Sequence, residues 1–312
     1  METASSVTFC SSANLGPGYD VLALALDAFA DKVTVKSGGR TENPQVVIRG
    51  NGVPDEPRRN TAGLSVLRMI EEMDIDRSIT IDIQKGVPAG LGLGSSGASA
   101  SAAVLAVNTL FNLGLSRDEM VEYAMHGETA SSGTPHPDNV AASIFGNLSV
   151  VTSISPLRVR SFRIAENLTF LLMMPDLHIE NKTKRCRELV PRQVSITDVV
   201  ANSRRLSSLI PGLLSGDPEL LASGLGDAIV EESRKPLYPY FEDVRRVAVE
   251  NGAIGACLSG AGPSVLAFLE KGVPSEGIKK ACKSVFERYG LSVSFAIANP
   301  AEGAVIEQSS YY

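Results

Sequence analysis

Residues 87–107, VPAGLGLGSSGASASAAVLAV, force a tight loop to run directly into a helix. Gly90, Gly92 and Gly94 stand at alternate positions, where they interrupt regular structure and let the backbone turn without side-chain clash. From about Ser96 the small residues give way to a helical run that Gly114 is placed to terminate. Ala98, Ala100, Ala102 and Ala103 keep that helix slim enough to pack tightly. A glycine loop feeding a helix N-terminus suits an anion, because its amides lack intrahelical partners and the helix dipole adds modest attraction. Ser95 and Ser96 add hydroxyls for phosphate oxygens or a phosphate-bound metal. The loop lacks the Gly-Lys-Ser/Thr ending of a Walker loop and the strand context of a dinucleotide fingerprint. Taken alone, it equally describes a flexible loop with small residues for helix packing.

With 312 residues and 44% hydrophobic content, the chain is long enough for two domains of roughly 150 residues each. A formal net charge of -6 argues against a sequence-independent nucleic-acid binder. Cys10, Cys186, Cys257 and Cys282 form no CxxC pair, and with three histidines they offer no zinc spacing. A reducing cytoplasm fits that usage. METASSVTFC has no basic segment followed by a long apolar run, so no secretory signal is expected there, and no membrane span is expected.

Strands are expected over 5–10, 31–37, 45–50 and, from strict alternation, 78–86. Residues 21–29 read as strand or buried helix. A helix is expected over 61–73. A second, over 116–128, starts on a capping-box pattern of Ser116 and Glu119. SSGTPHPDN (131–139) is expected to break it, leaving Glu128 at its end. A domain boundary is placed between 155 and 156. The second half then mixes a buried strand at 168–175 with helices at 195–214, 217–232 and 239–251. A glycine-rich turn and strand over 255–270, a helix over 275–289 and a strand at 291–298 close the chain. That is an α+β order.

Three ordered segments carry a family resemblance: SSANLGPGYDVLALAL (11–26), PAGLGLGSSGASA (88–100) and GAIGACLSGAGPSVLAF (252–268). Together they resemble the GHMP kinase superfamily. HPDNVA (136–141) and TKRCRELVP (183–191) resemble its homoserine kinase branch in particular. The likeness runs from about residue 5 to 300. It implies a two-domain fold: a half like ribosomal protein S5 domain 2 over 1–155, with a left-handed βαβ element, and a ferredoxin-like half over 156–312. ATP, Mg²⁺ and a small-molecule acceptor would meet in the cleft between them, and a homodimer is the family expectation.

The resemblance also implies roles. Ser96 and Glu128 match the magnesium-holding positions, and Mg²⁺ favours hard oxygen ligands completed by phosphates and water. By spacing alone Glu128 reads as a solvated helix-terminal glutamate. Pro88, Gly90, Leu91, Gly92, Gly94, Ser95 and Gly260 match the nucleotide side, and Asn60 matches a nucleotide-proximal position. Asn14 and Asp20 match substrate positions, where Asp20 would receive an ammonium group; turn capping remains the alternative for Asn14. His136 and Asn139 come from HPDN. An amide takes no proton at neutral pH, so Asn139 would orient the attacking hydroxyl, with catalysis by positioning and charge neutralisation. Asp138 keeps a conventional base open. Arg187 and Arg234 match a carboxylate clamp, since a guanidinium forms two parallel bonds to one carboxylate, and Thr183 lies one helical turn before Arg187. Lys182, Lys184 and Arg185 read as a solvated basic face or as weak shielding of phosphate charge. Tyr19 stands where the family usually has Phe, and Gly97 where it often has Ala.

The implied activity is ATP-dependent phosphorylation of the homoserine side-chain hydroxyl. Rivals are another kinase of the superfamily acting on a mevalonate-like, sugar or threonine/serine-like acceptor, and a non-catalytic ligand sensor on the same fold. A sugar acceptor gives no use to two arginines, and a sensor would be expected to have lost the glycine loop or Glu128, both of which are present.

Overall fold

The computed structural model describes residues 2–133, 135–180 and 182–310. In the first half, strands β1 (Thr3–Ala13), β2 (Leu22–Arg40) and β3 (Val46–Arg49) lead to α1 (Thr61–Glu72) and β4 (Arg77–Gln84). There follow α2 (Ser95–Leu110), α3 (Arg117–Ser132), α4 (Pro137–Phe145), β5 (Leu148–Ile154) and β6 (Leu157–Phe162). Residues 21–29, ambiguous in sequence, are strand: they and residues 31–37 form one long β2 paired antiparallel with β1. β3 and β4 are parallel and joined through α1. Alternation along β4 turns Ile79, Ile81 and Ile83 inward. The four helices cover one face of this sheet, with Val66, Val104, Val121 and Val140 in a shared core.

The second half contains β7 (Leu168–Pro175), α5 (Lys182–Glu188), α6 (Ile196–Ser215), α7 (Pro218–Gly224) and α8 (Val230–Arg234). It continues through α9 (Phe241–Glu250), β8 (Gly255–Leu258), β9 (Val265–Glu270), α10 (Glu276–Arg288) and β10 (Val293–Ala298). Its antiparallel sheet has the order β10-β7-β9-β8. That fourth-first-third-second arrangement is ferredoxin-like. β7 is buried throughout because both faces are covered. Phe170 and Leu172 pack toward β2 and α6, while Leu171 and Met173 pack under α9 and α10.

Three expectations change. The 155/156 division falls in the turn of the β5–β6 hairpin, so β6 belongs to the first sheet and the second sheet begins only at Leu168. The chain does not close at 298: β11 (Val305–Ser310) returns to pair with β1 at the edge of the first sheet. The helix expected over 217–232 is two short ones, α7 and α8, separated at 225–229.

Glu128 is not at a helix end. Thr129–Ser132 remain helical, and only Gly133, in the left-handed region at φ 74°, stops α3. The capping box at Ser116 and Glu119 forms as expected. One residue before Glu128, Gly127 lets α3 press on α1: a Cβ there would overlap Ser65 Oγ and the Thr61 carbonyl. Gly127→Ala is therefore expected to cost about 1–3 kcal/mol as the helices are pushed apart. Calorimetry should show a lowered Tm, whereas Gly114→Ala, which meets no neighbouring atoms, should show only its left-handed backbone strain.

Candidate active site

Where the two halves meet lies a cavity of about 380 Å³. Its floor is the loop before α2. Gly90, Gly92 and Gly94 all have φ between 67° and 78°, the left-handed region that favours glycine. Gly94 is the N-cap of α2 and offers no side chain, so the first-turn amides keep their anion-binding capacity. A Cβ at Gly94 would overlap Ser11 Oγ and crowd Asn139 Oδ1, and one at Gly92 would overlap the carbonyls of Ser259 and Gly262. At Gly90 a Cβ would meet nothing within 4 Å. The loop is thus packed from behind and open in front, a cradle for a phosphate chain. Gly97, which stands where the family often has Ala, lies in the first turn of α2 against Val140.

Ser96 Oγ donates to Glu128 Oε2 at 3.0 Å, and Glu128 is 8% exposed. Burial pushes the Glu128 carboxyl up to about 7, countered in part by the Ser96 bond. A buried carboxylate and a hydroxyl converging beside a phosphate cradle fit Mg²⁺, which takes few protein oxygens when a nucleotide supplies the rest. No group of three or more His, Cys, Asp or Glu suited to a metal occurs among the described residues. Ser95 faces the cavity, but its hydroxyl donates to the Val87 carbonyl at 2.8 Å.

The other side of the cavity is built from residues far apart in sequence. The turn after β1 places Asn14, Leu15, Gly16 and Asp20 at positive φ, which throws Asp20 into the cavity. There Arg187 of α5 grips it with both terminal nitrogens, at 2.8 and 3.1 Å. Arg187 Nη2 also donates to His136 Nδ1 at 2.6 Å. That bond requires an unprotonated Nδ1, and burial plus the Arg187 charge lower the His136 pKa to about 4. Thr183 shares the cavity, one turn before Arg187. Arg234 is 3% exposed; its Nη1 donates to the Gly260 carbonyl at 3.0 Å. Asn139 Oδ1 accepts from Ser11 Oγ at 2.9 Å, which turns the amide nitrogen to the remaining space. Asp138 is buried beside it, and burial followed by the Asp20 charge pushes its pKa up to about 6.

Most of the expected site residues line this one cavity; Pro88 and Leu91 do not. Two amides there are engaged in holding structure. Asn14 Oδ1 accepts from the Asp20 amide at 3.2 Å while its Nδ2 donates to Gly260 O at 2.9 Å. Asn60 caps α1, accepting from Gly63 N at 3.1 Å and donating to Pro54 O at 2.9 Å.

Two lysines brace the glycine loops. Lys85 pairs with the fully buried Asp31 and donates to Ser95 O at 2.7 Å and Ser99 Oγ at 2.9 Å, bracing the start of α2. Burial lowers its pKa. Lys182, expected on a solvated basic face or as weak shielding of phosphate charge, donates to the carbonyls of Gly90 and Gly262 and so bridges the two glycine loops. Burial lowers its pKa to about 8. Lys85 follows an alternating strand like any surface lysine. For Lys182 the one available signal was its place directly before Thr183.

The GHMP kinases N terminal domain family matches residues 60–147, and the GHMP kinases C terminal family matches 209–288. The fold and cleft are those of a GHMP-type kinase. The chain is 48% identical to the homoserine kinase of Thermoplasma volcanium, covering 96% of this chain and 95% of that one. It is 44% identical to the homoserine kinase of Saccharolobus solfataricus, over 98% and 99% of the two chains. The crystal structure of homoserine kinase from Cytophaga hutchinsonii superposes with a TM-score of 0.88 at 30% identity, over 98% of both chains. Mevalonate diphosphate decarboxylase from Staphylococcus aureus, at 14% identity and a TM-score of 0.72, shares the fold alone. The chain belongs to the homoserine kinase family.

The wall behind Arg234 yields a pH test. Glu231 of α8 is buried; its Oε1 accepts from Leu258 N at 2.8 Å, directly before the Ser259–Gly262 turn. Burial raises its pKa from 4.5 to about 8. Between those values the folded state keeps a proton that the unfolded state has released, so stability falls as pH rises through this window. Glu231→Gln keeps the acceptor oxygen and removes the titration. Denaturant unfolding should show the variant gaining on the wild type as pH climbs toward 8, on the order of a few kcal/mol, with the advantage vanishing near pH 4.5.

Proposed function

We propose that the protein transfers the γ-phosphoryl group of ATP to the side-chain hydroxyl of L-homoserine. The observation that carries this reading is the Asp20–Arg187 pair, an anion and a cation facing each other in the cavity that also holds the phosphate cradle. A zwitterionic amino acid replaces that pair with matched charges: its ammonium takes Asp20, and its carboxylate takes Arg187 with Arg234 beside it. The names of the relatives agree with this acceptor.

The chain's own part in the reaction is positional. Loop amides and the α2 N-terminus hold the triphosphate. Ser96 and Glu128 would hold Mg²⁺, which supplies charge neutralisation on the phosphates when bound. Asn139 donates to the acceptor oxygen and aims it at the γ-phosphorus, and the loose transition state of phosphoryl transfer asks little of a base. Asp138 is a conventional base candidate, yet its Oδ1 accepts from the backbone N–H of Asn139 at 2.8 Å and is drawn back onto α4. A mevalonate-like or sugar acceptor brings no ammonium to Asp20. All four cysteines are buried and free, which suits a cytoplasmic protein. No helix among the described residues is long and apolar enough to cross a membrane. A homodimer is part of the proposal, and Ile196, Val199 and Val200 offer α6 an exposed apolar face for it.

With ATP and Mg²⁺, mass detection of phosphoproducts across L-homoserine, L-threonine, L-serine, mevalonate and galactose should find O-phosphohomoserine dominant. Arg187→Ala should raise KM for homoserine by about 100-fold, the loss of a charged bidentate contact. A dominant signal from mevalonate or galactose would sink the acceptor assignment.

Asp138→Asn separates proton transfer to a carboxylate base from late release of the hydroxyl proton to the transferred phosphate. Loss of a general base costs about 10²–10⁴-fold in kcat. Catalysis by positioning predicts a fall of less than about tenfold, read by steady-state kinetics at saturating substrates.

A further inference from the structure

Tyr19 received no role above, yet both acceptor arginines converge on it. The guanidinium carbon of Arg187 lies 5.4 Å from the centroid of its ring and that of Arg234 lies 5.5 Å away. These arginines come from α5 and α8, separate elements with like charges that repel. A ring face carries negative quadrupole density and attracts a cation within about 6 Å, so this one aromatic ring contacts both guanidinium groups.

The two arginines are otherwise held differently. Arg187 has a carboxylate partner in Asp20 and a nitrogen partner in His136. Arg234 makes no ion pair among the described residues; one carbonyl accepts from its Nη1, and its Nε is buried without a hydrogen-bond partner. Its charge is thus answered in this structure by a carbonyl and the Tyr19 ring. A buried guanidinium so little compensated is an open valence for an anion.

The ring itself is fixed. Its turn is cross-braced by Gly18 N to Asn14 O at 3.0 Å, Leu22 N to Gly18 O at 2.9 Å, and the Asp20 amide to Asn14 Oδ1. Gly16 lies against Gly226, where a Cβ would come within 3.1 Å of the backbone nitrogen. The turn therefore cannot swing the ring away without breaking contacts on both sides of the cleft.

We infer that the ring of Tyr19 is a positioning residue that holds Arg187 and Arg234 in register for one carboxylate, and so sets selectivity for an acceptor that carries an α-carboxylate. The ring carries this role and the phenol hydroxyl does not. The inference rests on the homoserine reading and adds to it the group that aligns its clamp.

The test compares Tyr19→Phe and Tyr19→Leu with the wild type, using L-homoserine and the carboxylate-free acceptor 3-aminopropan-1-ol. Tyr19→Leu should raise KM for homoserine about tenfold, as expected for loosening two cation–ring contacts, and leave KM for ATP within about twofold. Its preference for homoserine over 3-aminopropan-1-ol, in kcat/KM, should fall by about the same factor. Tyr19→Phe should restore both values. Tyr19→Met, which keeps bulk without a ring, replaces the leucine variant if that one does not fold.

Three results overturn the inference while leaving the acceptor assignment intact: equal losses on both acceptors, a phenylalanine variant as impaired as leucine, or a leucine variant with wild-type kinetics. A wild-type protein that phosphorylates none of the homoserine offered overturns the acceptor assignment and this inference with it.

Discussion

The cleft depends on the close backbone contact of two glycine loops. Ser259 Oγ donates to Gly92 O at 2.9 Å, Gly260 N donates to Ala13 O at 3.0 Å, and Ser11 N donates to Leu93 O at 3.0 Å. Gly92 approaches the Ser259 and Gly262 carbonyls so closely that a Cβ would not fit. This contact joins the first sheet to the second at the point where the phosphate cradle opens. Move it, and Lys182 loses a bridge whose ends lie one on each loop. Asn14 and Arg234, which share the Gly260 carbonyl as acceptor, would lose their common anchor.

Charge organises what the loops enclose. A fully buried Asp31 takes Lys85, the Ser99 hydroxyl and the amides of Gly86 and Val87, so the strand before the phosphate loop is fixed by a satisfied polar cluster. Around the acceptor the balance is deliberately incomplete in physical terms. Asp20 and Arg187 satisfy each other, Arg234 lacks a carboxylate, and Glu128 and Asp138 are pushed toward neutrality by burial. Such a site costs stability in isolation and is relieved by a ligand whose charges complete it.

The sequence was most readable where local chemistry acts alone. The alternation of β4, the capping box of α3 and the glycine loop before α2 each form where the residues imply. It was least readable where tertiary packing decides. β11 is a short edge strand of mixed polarity, and its place beside β1 is set by the sheet and not by any turn signal. β6 sits after a turn that resembles a linker and proves to be a hairpin. Among site residues, Asp20, Glu128 and the arginines were found through family motifs. Lys85 and Lys182 were not, because a lysine that ends on a buried carboxylate or on backbone carbonyls looks in sequence like any lysine on a surface.

On the proposed function, the acceptor opens the Asp20–Arg187 pair and takes its place. A crystal structure with L-homoserine and a non-hydrolysable ATP analogue tests it most directly. The ammonium is expected on Asp20, the carboxylate between Arg187 and Arg234, and the direct bond between Asp20 and Arg187 broken. An intact pair, with homoserine bound elsewhere in the cleft, would contradict it.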